Sequence, residues 1–478
     1  MTTPIRRGVA VINGVAAIAL LALWWAAVRV PAPTGIVVIT LDTTRADRLS
    51  PYGYMNVSLP HLERLAREGV IFDQAISVAP LTLPAHTSLF TGLVPPNHGV
   101  RDNADTPLSE SYTTLAEVLL ARGFRTGAFV GSVVLDPDRG LTQGFEQYRG
   151  VDEAGRGTAS GRQRPADSVM DDAIRWLDTI QGSRFFLWTH LYDAHRPYDP
   201  PEPYRSVYGH NLYVGEIAFT DSQIGRLLEA LEQRNLLAHT VVVVTADHGE
   251  SLGNHGERDH GVFVYEDVVR VPLIVRAPGL QPFRVGEVVR LTDVMPTILE
   301  SLGVPSPPVD GVSLVDLMAG RRSELNLEAY SESLYPERLG WSPLRALRSG
   351  PLKLIDAPRP ELYDLEQDPF EEKNIYDTRL AATIATRLAA VAKGNATPGA
   401  AERRAGATPE LQARLGALGY LSSAVKRDPS DRTPLPDPKD CIGFYSGAAD
   451  ATQSRPDCGL RRHTDDVSPK VPPSPPRR

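Results

Sequence analysis

Ile36-Val37-Val38-Ile39-Thr40-Leu41-Asp42 and Val241-Val242-Val243-Val244-Thr245-Ala246-Asp247-His248 decide the fold class of this 478-residue chain. Each is a short, unbroken apolar run rich in β-branched residues, and each ends in side chains suited to binding a metal. Runs of that kind read as strands buried on both faces, which is the pattern of a parallel sheet covered by helices. Further strands fit 126–130, 185–191 and 271–275, and helical spacing recurs near 60–68, 167–180, 216–234 and 293–302. Strand and helix alternate, so the pattern predicts an α/β fold with a doubly wound, mostly parallel sheet. In such sheets a site forms outside the carboxyl ends of the strands, where Asp42, Asp247 and His248 stand.

Between those strand ends lies Ala79-Pro80-Leu81-Thr82-Leu83-Pro84-Ala85-His86, closed by Thr91-Gly92. Thr82 places a hydroxyl at the mouth of a helix that carries proline in its first turn, where N–H groups and the helix dipole favour an anion. A metal, a hydroxyl nucleophile and an anion cradle together imply transfer or hydrolysis of a charged ester.

Composition sets the outer limits. Residues are 42% hydrophobic and the net charge is −8. That is enough apolar material for a large core domain with a satellite. Without a basic block, nucleic-acid binding has no electrostatic support. Arg6 and Arg7 precede residues 8–28, which carry no charge. As a helix rising about 1.5 Å per residue, that stretch spans a hydrocarbon layer of about 30 Å. The arginines put its start in the cytoplasm. The expectation is a single-pass anchor with the catalytic domain on the extracytoplasmic side. The small residues of Trp25-Ala26-Ala27-Val28 also fit a cleaved signal peptide and secretion.

The boundaries follow: 1–34 cytoplasmic tip and anchor; 35–325 catalytic domain; 326–395 a small antiparallel subdomain of short strands and Gly/Pro turns; 396–424 a terminal helix marked by Leu411, Leu415 and Leu418; and 425–478 a Pro-rich tail expected to be disordered. Cys441 and Cys458, the two cysteines of the chain, lie in that tail and in an exported protein could pair.

At this point the chain resembles the sulfatase family of the alkaline phosphatase superfamily. The matching elements run in that family's order over about residues 35–380. They begin with Leu41-Asp42-Thr43-Thr44-Arg45-Ala46-Asp47, Pro60-His61-Leu62 and the Thr82 segment. His98-Gly99-Val100 with Asn103 follows, then Tyr192-Asp193-Ala194-His195-Arg196-Pro197-Tyr198. Ala246-Asp247-His248-Gly249-Glu250, Gly253-Asn254-His255-Gly256 and Arg270-Val271-Pro272 come next. Glu361-Leu362-Tyr363-Asp364-Leu365 resembles the family's small terminal subdomain.

The resemblance makes Asp42, Asp247 and His248 metal ligands, with Thr82 as nucleophile and ligand. It implies one divalent ion per chain. The nitrogen of His248 suits zinc or manganese better than calcium or magnesium. Family members usually carry a second aspartate where this chain has Thr43, and asparagine in place of His248. They need Cys or Ser at position 82, converted to formylglycine, and Arg where this chain has His86. Asn103 matches a substrate-contacting asparagine, though a loop Asn that stabilises its own turn reads equally well. His195 matches a substrate-facing histidine that protonates the leaving oxygen or binds the charged group. His260 stands where the family has a lysine that grips the anion. His86 reads either as a neighbour that orients Thr82 or as packing, and His190 as a buried structural histidine.

The expected activity is therefore metal-dependent hydrolysis of a small-molecule, lipid or glycan ester. A threonyl phosphate turns over by water attack at phosphorus, whereas a threonyl sulfate lacks the carbon–oxygen exit open to a hydrated aldehyde. Phosphate mono- and diesters and phosphonate esters come first. Sulfate ester hydrolysis, transfer of a phosphoryl headgroup, and a membrane-tethered scaffold without activity are the alternatives.

Overall fold

The computed structural model describes residues 33–104, 107–151, 163–394, 433–445 and 458. Its centre is an eight-stranded sheet of β1 (Gly35–Leu41), β2 (Val70–Ile76), β3 (Arg125–Val130), β4 (Gln147–Arg149), β5 (Phe185–Leu191), β6 (Thr240–Ala246), β7 (Arg270–Arg276) and β8 (Phe283–Arg290). The spatial order is β4-β3-β5-β1-β6-β7-β2-β8. Among the helices that cover it are α1 (Pro60–Glu68), α2 (Thr82–Thr91), α3 (Ala166–Leu177), α4 (Leu212–Gln233) and α5 (Val294–Ser301).

β1 is buried along its whole length and lies in the middle of the sheet, parallel to β5 on one side and β6 on the other. The chain leaves β1 for β2 on one flank and returns to β3 on the opposite flank. Strand order thus reverses at β1, and the crevice outside its carboxyl end is the natural ligand position.

Two features depart from the sequence pattern. β7 runs antiparallel to both β6 and β2. The connection from β6 stays at the carboxyl rim through residues 247–269, so β7 starts at that rim and descends. β2 and β8 also lie outside the strands the pattern picks out. Asp73 and Gln74 interrupt one apolar run, and a register shift follows Phe72, while only three of the eight residues of β8 are buried.

A separate antiparallel sheet contains β9 (Glu328–Ser333), β10 (Leu344–Ser349), β11 (Leu352–Asp356) and β12 (Glu361–Asp364) in the order β12-β11-β10-β9. Leu347, Leu354 and Leu362 bury its face against Ala381, Ile384 and Leu388 of α6 (Thr378–Lys393). Ser331 Oγ donates to Ser77 O at 2.6 Å and Glu332 N to Val78 O at 2.9 Å, which ties the small sheet to the loop before α2.

The stretch read as a disordered tail contains α7 (Pro438–Tyr445) and a disulfide between Cys441 and Cys458. Composition misleads here because specific contacts, not a core of its own, hold this segment. Trp341 Nε1 donates to Cys458 O at 3.0 Å, and Ser342 N donates to Pro436 O at 2.9 Å. Arg359 pairs with Asp440 at 2.8 Å, and Lys439 pairs with Glu361. Residues 8–28 and 396–424, expected as membrane and terminal helices, lie outside the described residues. None of the described helices is long and apolar enough to cross a membrane.

The disulfide closes a loop between residues 17 apart in sequence, a constraint on the unfolded chain of roughly 3 kcal/mol. Reduction should therefore loosen α7 while the main core stays folded. Limited proteolysis with and without a thiol reductant, read by intact mass, should show loss of the C-terminal segment in the reduced sample only. Equal cleavage rates in the two samples would show that the disulfide does not hold the segment.

Candidate active site

The site starts from three residues past β1. Side chains alternate along a strand, so Thr40 and Asp42 share the face on which α2 lies. Thr43 then adopts φ 51°, a region that β-branched residues avoid. Contacts on all sides hold this strained turn. Thr43 N donates to Asp247 Oδ1 at 3.3 Å, its Oγ1 donates to Ala194 O at 2.7 Å, and its carbonyl accepts from Tyr213 Oη at 2.8 Å. The chain is turned away at once, leaving the Asp42 carboxylate at the rim. Arg45 then clamps the neighbouring loop by donating to Glu250 O and Ser251 O.

Asp42, Asp247 and His248 bring one ligand atom each to within 4.8 Å of one another, all buried. Among the described residues, neither Asp42 oxygen has a hydrogen-bond partner, and nor does Asp247 Oδ2. Among the described residues no lysine or arginine pairs with either carboxylate. Burial pushes the Asp42 carboxyl up to about 7, with His248 opposing and Glu250 reinforcing the shift. His248 Nδ1 lies 2.9 Å from Gly249 O; since a carbonyl only accepts, Nδ1 carries the proton and Nε2 keeps its lone pair. That nitrogen lies 3.6 Å from Asp247 Oδ2 and 3.5 Å from Thr82 Oγ1. Orphaned buried oxygens beside an imidazole lone pair fit a divalent cation, and the mixed N/O donor set fits zinc or manganese.

Thr82 is the first residue of α2. The anion cradle expected at this helix start is largely used up. Leu83 N donates to Asn103 Oδ1 at 2.9 Å, Pro84 has no N–H, and Ala85 N donates to Leu81 O at 3.2 Å. Side chains must hold an anion instead. Asn103 does double duty, since its Oδ1 caps the helix while its buried Nδ2 has no partner among the described residues.

His86 sits beneath Thr82 rather than facing its hydroxyl. Its Nδ1 donates to Thr82 O at 2.8 Å, and its Nε2 lies 2.9 Å from Thr40 Oγ1, which also accepts from Trp188 Nε1 at 3.0 Å. Burial pushes the ring down to about 3, so it is neutral and Thr40 donates to it. His86 therefore positions the first turn of α2 against β1 and does not touch the Thr82 hydroxyl.

On the opposite wall, His195 Nδ1 donates to Arg196 O at 2.7 Å, and its buried Nε2 has no partner among the described residues. The ring stacks on Tyr192 at 4.4 Å and meets the His260 ring edge at 5.1 Å. Burial and the nearby His260 hold His195 well below its usual value. In the resting site it presents a lone pair, so it can act as an acid only after taking up a proton.

His260 Nδ1 lies 3.2 Å from Glu250 Oε1, and Tyr198 Oη donates to Glu250 Oε2 at 3.3 Å. Burial pushes Glu250 well above its usual range and His260 down to about 4. This pair thus holds one proton between two groups that both resist charge.

Asp193 does not join these residues. Its Oδ1 accepts from Ala166 N at 3.1 Å, and among the described residues only two groups of three converge as metal ligands. The second group is His86, His190 and Asp247. Glu250 is a site residue that the sequence leaves unassigned, and His190, read there as a buried structural histidine, is brought to the edge of the site. The alternation Trp188-Thr189-His190 places His190 on the face of Trp188, under α2, which was the available signal.

Asn103→Asp separates its two jobs. The aspartate keeps the cap to Leu83 N but replaces the donor by an anion. The thermal midpoint should barely move, while kcat/KM falls by about 10²–10³-fold, the cost of losing one transition-state donor. Unchanged kinetics in this variant would reduce Asn103 to a helix cap.

The sulfatase profile matches residues 34–304, and the profile for the C-terminal part of N-sulphoglucosamine sulphohydrolase matches 253–394. The chain is 25% identical to the ulvan-active sulfatase of Formosa agariphila over 399 residues, 72% of this chain and 77% of the relative. It is 25% identical to arylsulfatase A of Homo sapiens over 439 residues, 75% of this chain and 86% of the relative. Among solved structures, the phosphonate monoester hydrolase of Agrobacterium radiobacter superposes with a TM-score of 0.65 at 23% identity, covering 75% of this chain and 95% of that one. A structure in complex with its substrate D-glucosamine-2-N,6-O-disulfate superposes with a TM-score of 0.64 at 21% identity, covering 76% and 97%.

Proposed function

The chain belongs to the sulfatase family and is an ester hydrolase; from that premise we propose that it cleaves phosphate or phosphonate esters through Thr82. The observation that carries this reading is the Thr82 hydroxyl at the start of α2, 3.5 Å from His248 Nε2. Oxidation of a threonine at Cβ gives a ketone, not the aldehyde whose hydrate releases sulfate by carbon–oxygen cleavage. A threonyl phosphate needs no such exit, because water can attack phosphorus directly.

Asp42, Asp247, His248 and the Thr82 hydroxyl are placed to hold one divalent ion. When bound, that ion lowers the pKa of the hydroxyl and offsets the charge of the phosphoryl oxygens. The chain's own groups do the rest. Thr82 Oγ, its acidified hydroxyl proton released to solvent, attacks phosphorus and the P–O bond to the alcohol breaks. The leaving oxygen takes the proton shared by Glu250 and His260, which their 3.2 Å contact keeps at the pocket wall. Asn103 Nδ2 donates to a non-bridging oxygen. His195 does so once the approaching anion has drawn a proton onto Nε2. Water then attacks the phosphothreonine and gives a proton to the His260–Glu250 pair; the P–O bond to Thr82 breaks, its oxygen regains a proton from solvent, and phosphate leaves.

The paired cysteines favour an oxidising compartment, which agrees with residues 8–28 acting as an anchor that leaves the catalytic domain outside the cytoplasm. The alcohol portion is drawn from small-molecule, lipid or glycan esters; sugar sulfates are bound by a structural relative.

The test is a substrate panel of aryl phosphate, phosphodiester, phosphonate and sulfate esters, with acid quench and intact mass. Phosphoryl turnover should be chelator-sensitive and should leave phosphate on the peptide containing Thr82. Thr82→Ala should abolish both adduct and turnover at a stability cost of about 1 kcal/mol, and Thr82→Ser should retain activity. Sulfate turnover without phosphoryl turnover would overturn the reading. Near-normal turnover by Thr82→Ala would make a water molecule the nucleophile.

A further inference from the structure

We propose that a cleft between the rim loop 247–269 and the antiparallel sheet is a second binding site, distinct from the catalytic one, that takes neutral sugar units of a glycan. A cavity of about 620 Å³ lies there, lined among others by Asn254, His255 and Tyr265 of the loop, Tyr363 and Phe370 from β12 and the turn after it, and Lys439 of α7. Asn254, His255 and Phe370 also line a neighbouring cavity of about 190 Å³ that reaches Asp267. Neither cavity is lined by Thr82, Asn103, His195, His260 or the proposed metal ligands. The larger one falls within the roughly 300–1,000 Å³ of small-molecule sites.

The walls are held at a conformational cost. His255 adopts φ 51° and Glu371 φ 56°, a region that residues other than glycine seldom enter and that recurs where ligands are clamped. The turn at His255 stacks its ring on Tyr265 at 3.7 Å and lets it donate to the Phe370 carbonyl. The Phe370 side chain stays 66% exposed, while Glu371 beside it pairs with buried Lys353 at 2.9 Å.

Charge and hydrogen bonding select the ligand. Lys439 pairs with Glu361, which also accepts from the Tyr265 and Tyr363 hydroxyls, and Arg359 pairs with Asp440. With these cations spent, a sulfate or phosphoryl group finds no unpaired partner in the larger cavity. Glu361 and Glu371 are spent as well, which removes their pull on a free cation. What remains is the bare ring of Phe370, the amide of Asn254, and Asp267 Oδ1, buried with no hydrogen-bond partner among the described residues. A sugar ring matches this remainder. Its C–H face packs on an aromatic ring, and its hydroxyls donate to a carboxylate or amide oxygen and accept from an amide N–H.

The test uses the purified full chain and uncharged probes, maltotriose, cellotriose and triacetylchitotriose, read by saturation-transfer NMR and by titration. At least one should bind. Phe370→Ala should weaken that binding about tenfold, and Asn254→Ala should weaken it too. Because the Phe370 ring is exposed and lies outside the catalytic site, its variant should keep the thermal midpoint and the turnover of a small aryl ester. Inorganic phosphate, the probe for the catalytic site, should not displace the sugar. Saturation transfer to none of the probes, equal binding by wild type and Phe370→Ala, or displacement by phosphate overturns the assignment. Sugar binding is read without turnover, so its failure is distinct from failure of the proposed reaction.

Discussion

Two carboxylates buried side by side without a cation between them cannot both stay charged at low cost. The architecture of this protein is arranged around that problem. β1 and β6 are adjacent, parallel and in register from Gly35 with Thr240 to Leu41 with Ala246, so residues one step past each strand arrive at the same point. Those residues are Asp42 and Asp247. The apolar runs that make both strands continuous and buried are also what strip the carboxylates of water. The same sequence feature builds the core and leaves two buried carboxylates that demand a compensating charge.

That demand explains where the backbone tolerates strain. Thr43 at φ 51° is conformationally costly, yet its amide, hydroxyl and carbonyl are each tied to a different segment: the Asp247 loop, the β5 exit and α4 through Tyr213. Arg45 adds a second clamp from the β1 exit to the loop after β6. The reversed strand β7 belongs to the same arrangement. Because the chain does not cross the sheet after β6, residues 247–269 remain at the rim and deliver Asp247, His248, Glu250 and His260 in one continuous stretch.

Five of the eight sheet strands, and the polar residues that end β1 and β6, were legible because their signals are local. A buried strand must be apolar along its length, and a polar residue at its end stands out. His86 was ambiguous for the opposite reason. A histidine four residues into a helix reads the same whether it faces a substrate or a buried threonine, and only the positions of Thr40 and Trp188 on separate strands settle it. The tail misled because its order comes from contacts with Trp341, Arg359 and Glu361, distant in sequence and absent from any local composition. β7 was legible as a strand but not in direction, which depends on whether the preceding loop crosses the sheet.

The imidazoles of the pocket follow a common logic. His86 approaches His190 at 4.9 Å, and Tyr192 bridges toward His195, which meets His260 at 5.1 Å; His260 in turn meets His248 at 4.5 Å. Burial drives the titration of His86, His190, His195 and His260 down, so the resting wall is a chain of neutral rings rather than a fixed positive patch. A lysine in the place of His260 would attract any tetrahedral anion at all times, whereas neutral rings become cationic only as the anion supplies the field that favours their protonation. Substrate charge and proton uptake are thereby coupled. A phosphate monoester gains from this coupling because it can bring the needed proton with it, whereas a sulfate monoester, like a phosphodiester or phosphonate monoester, has none to give near neutral pH. The proposed phosphoryl chemistry thus draws on the histidine wall and on the Thr82 hydroxyl through independent residues.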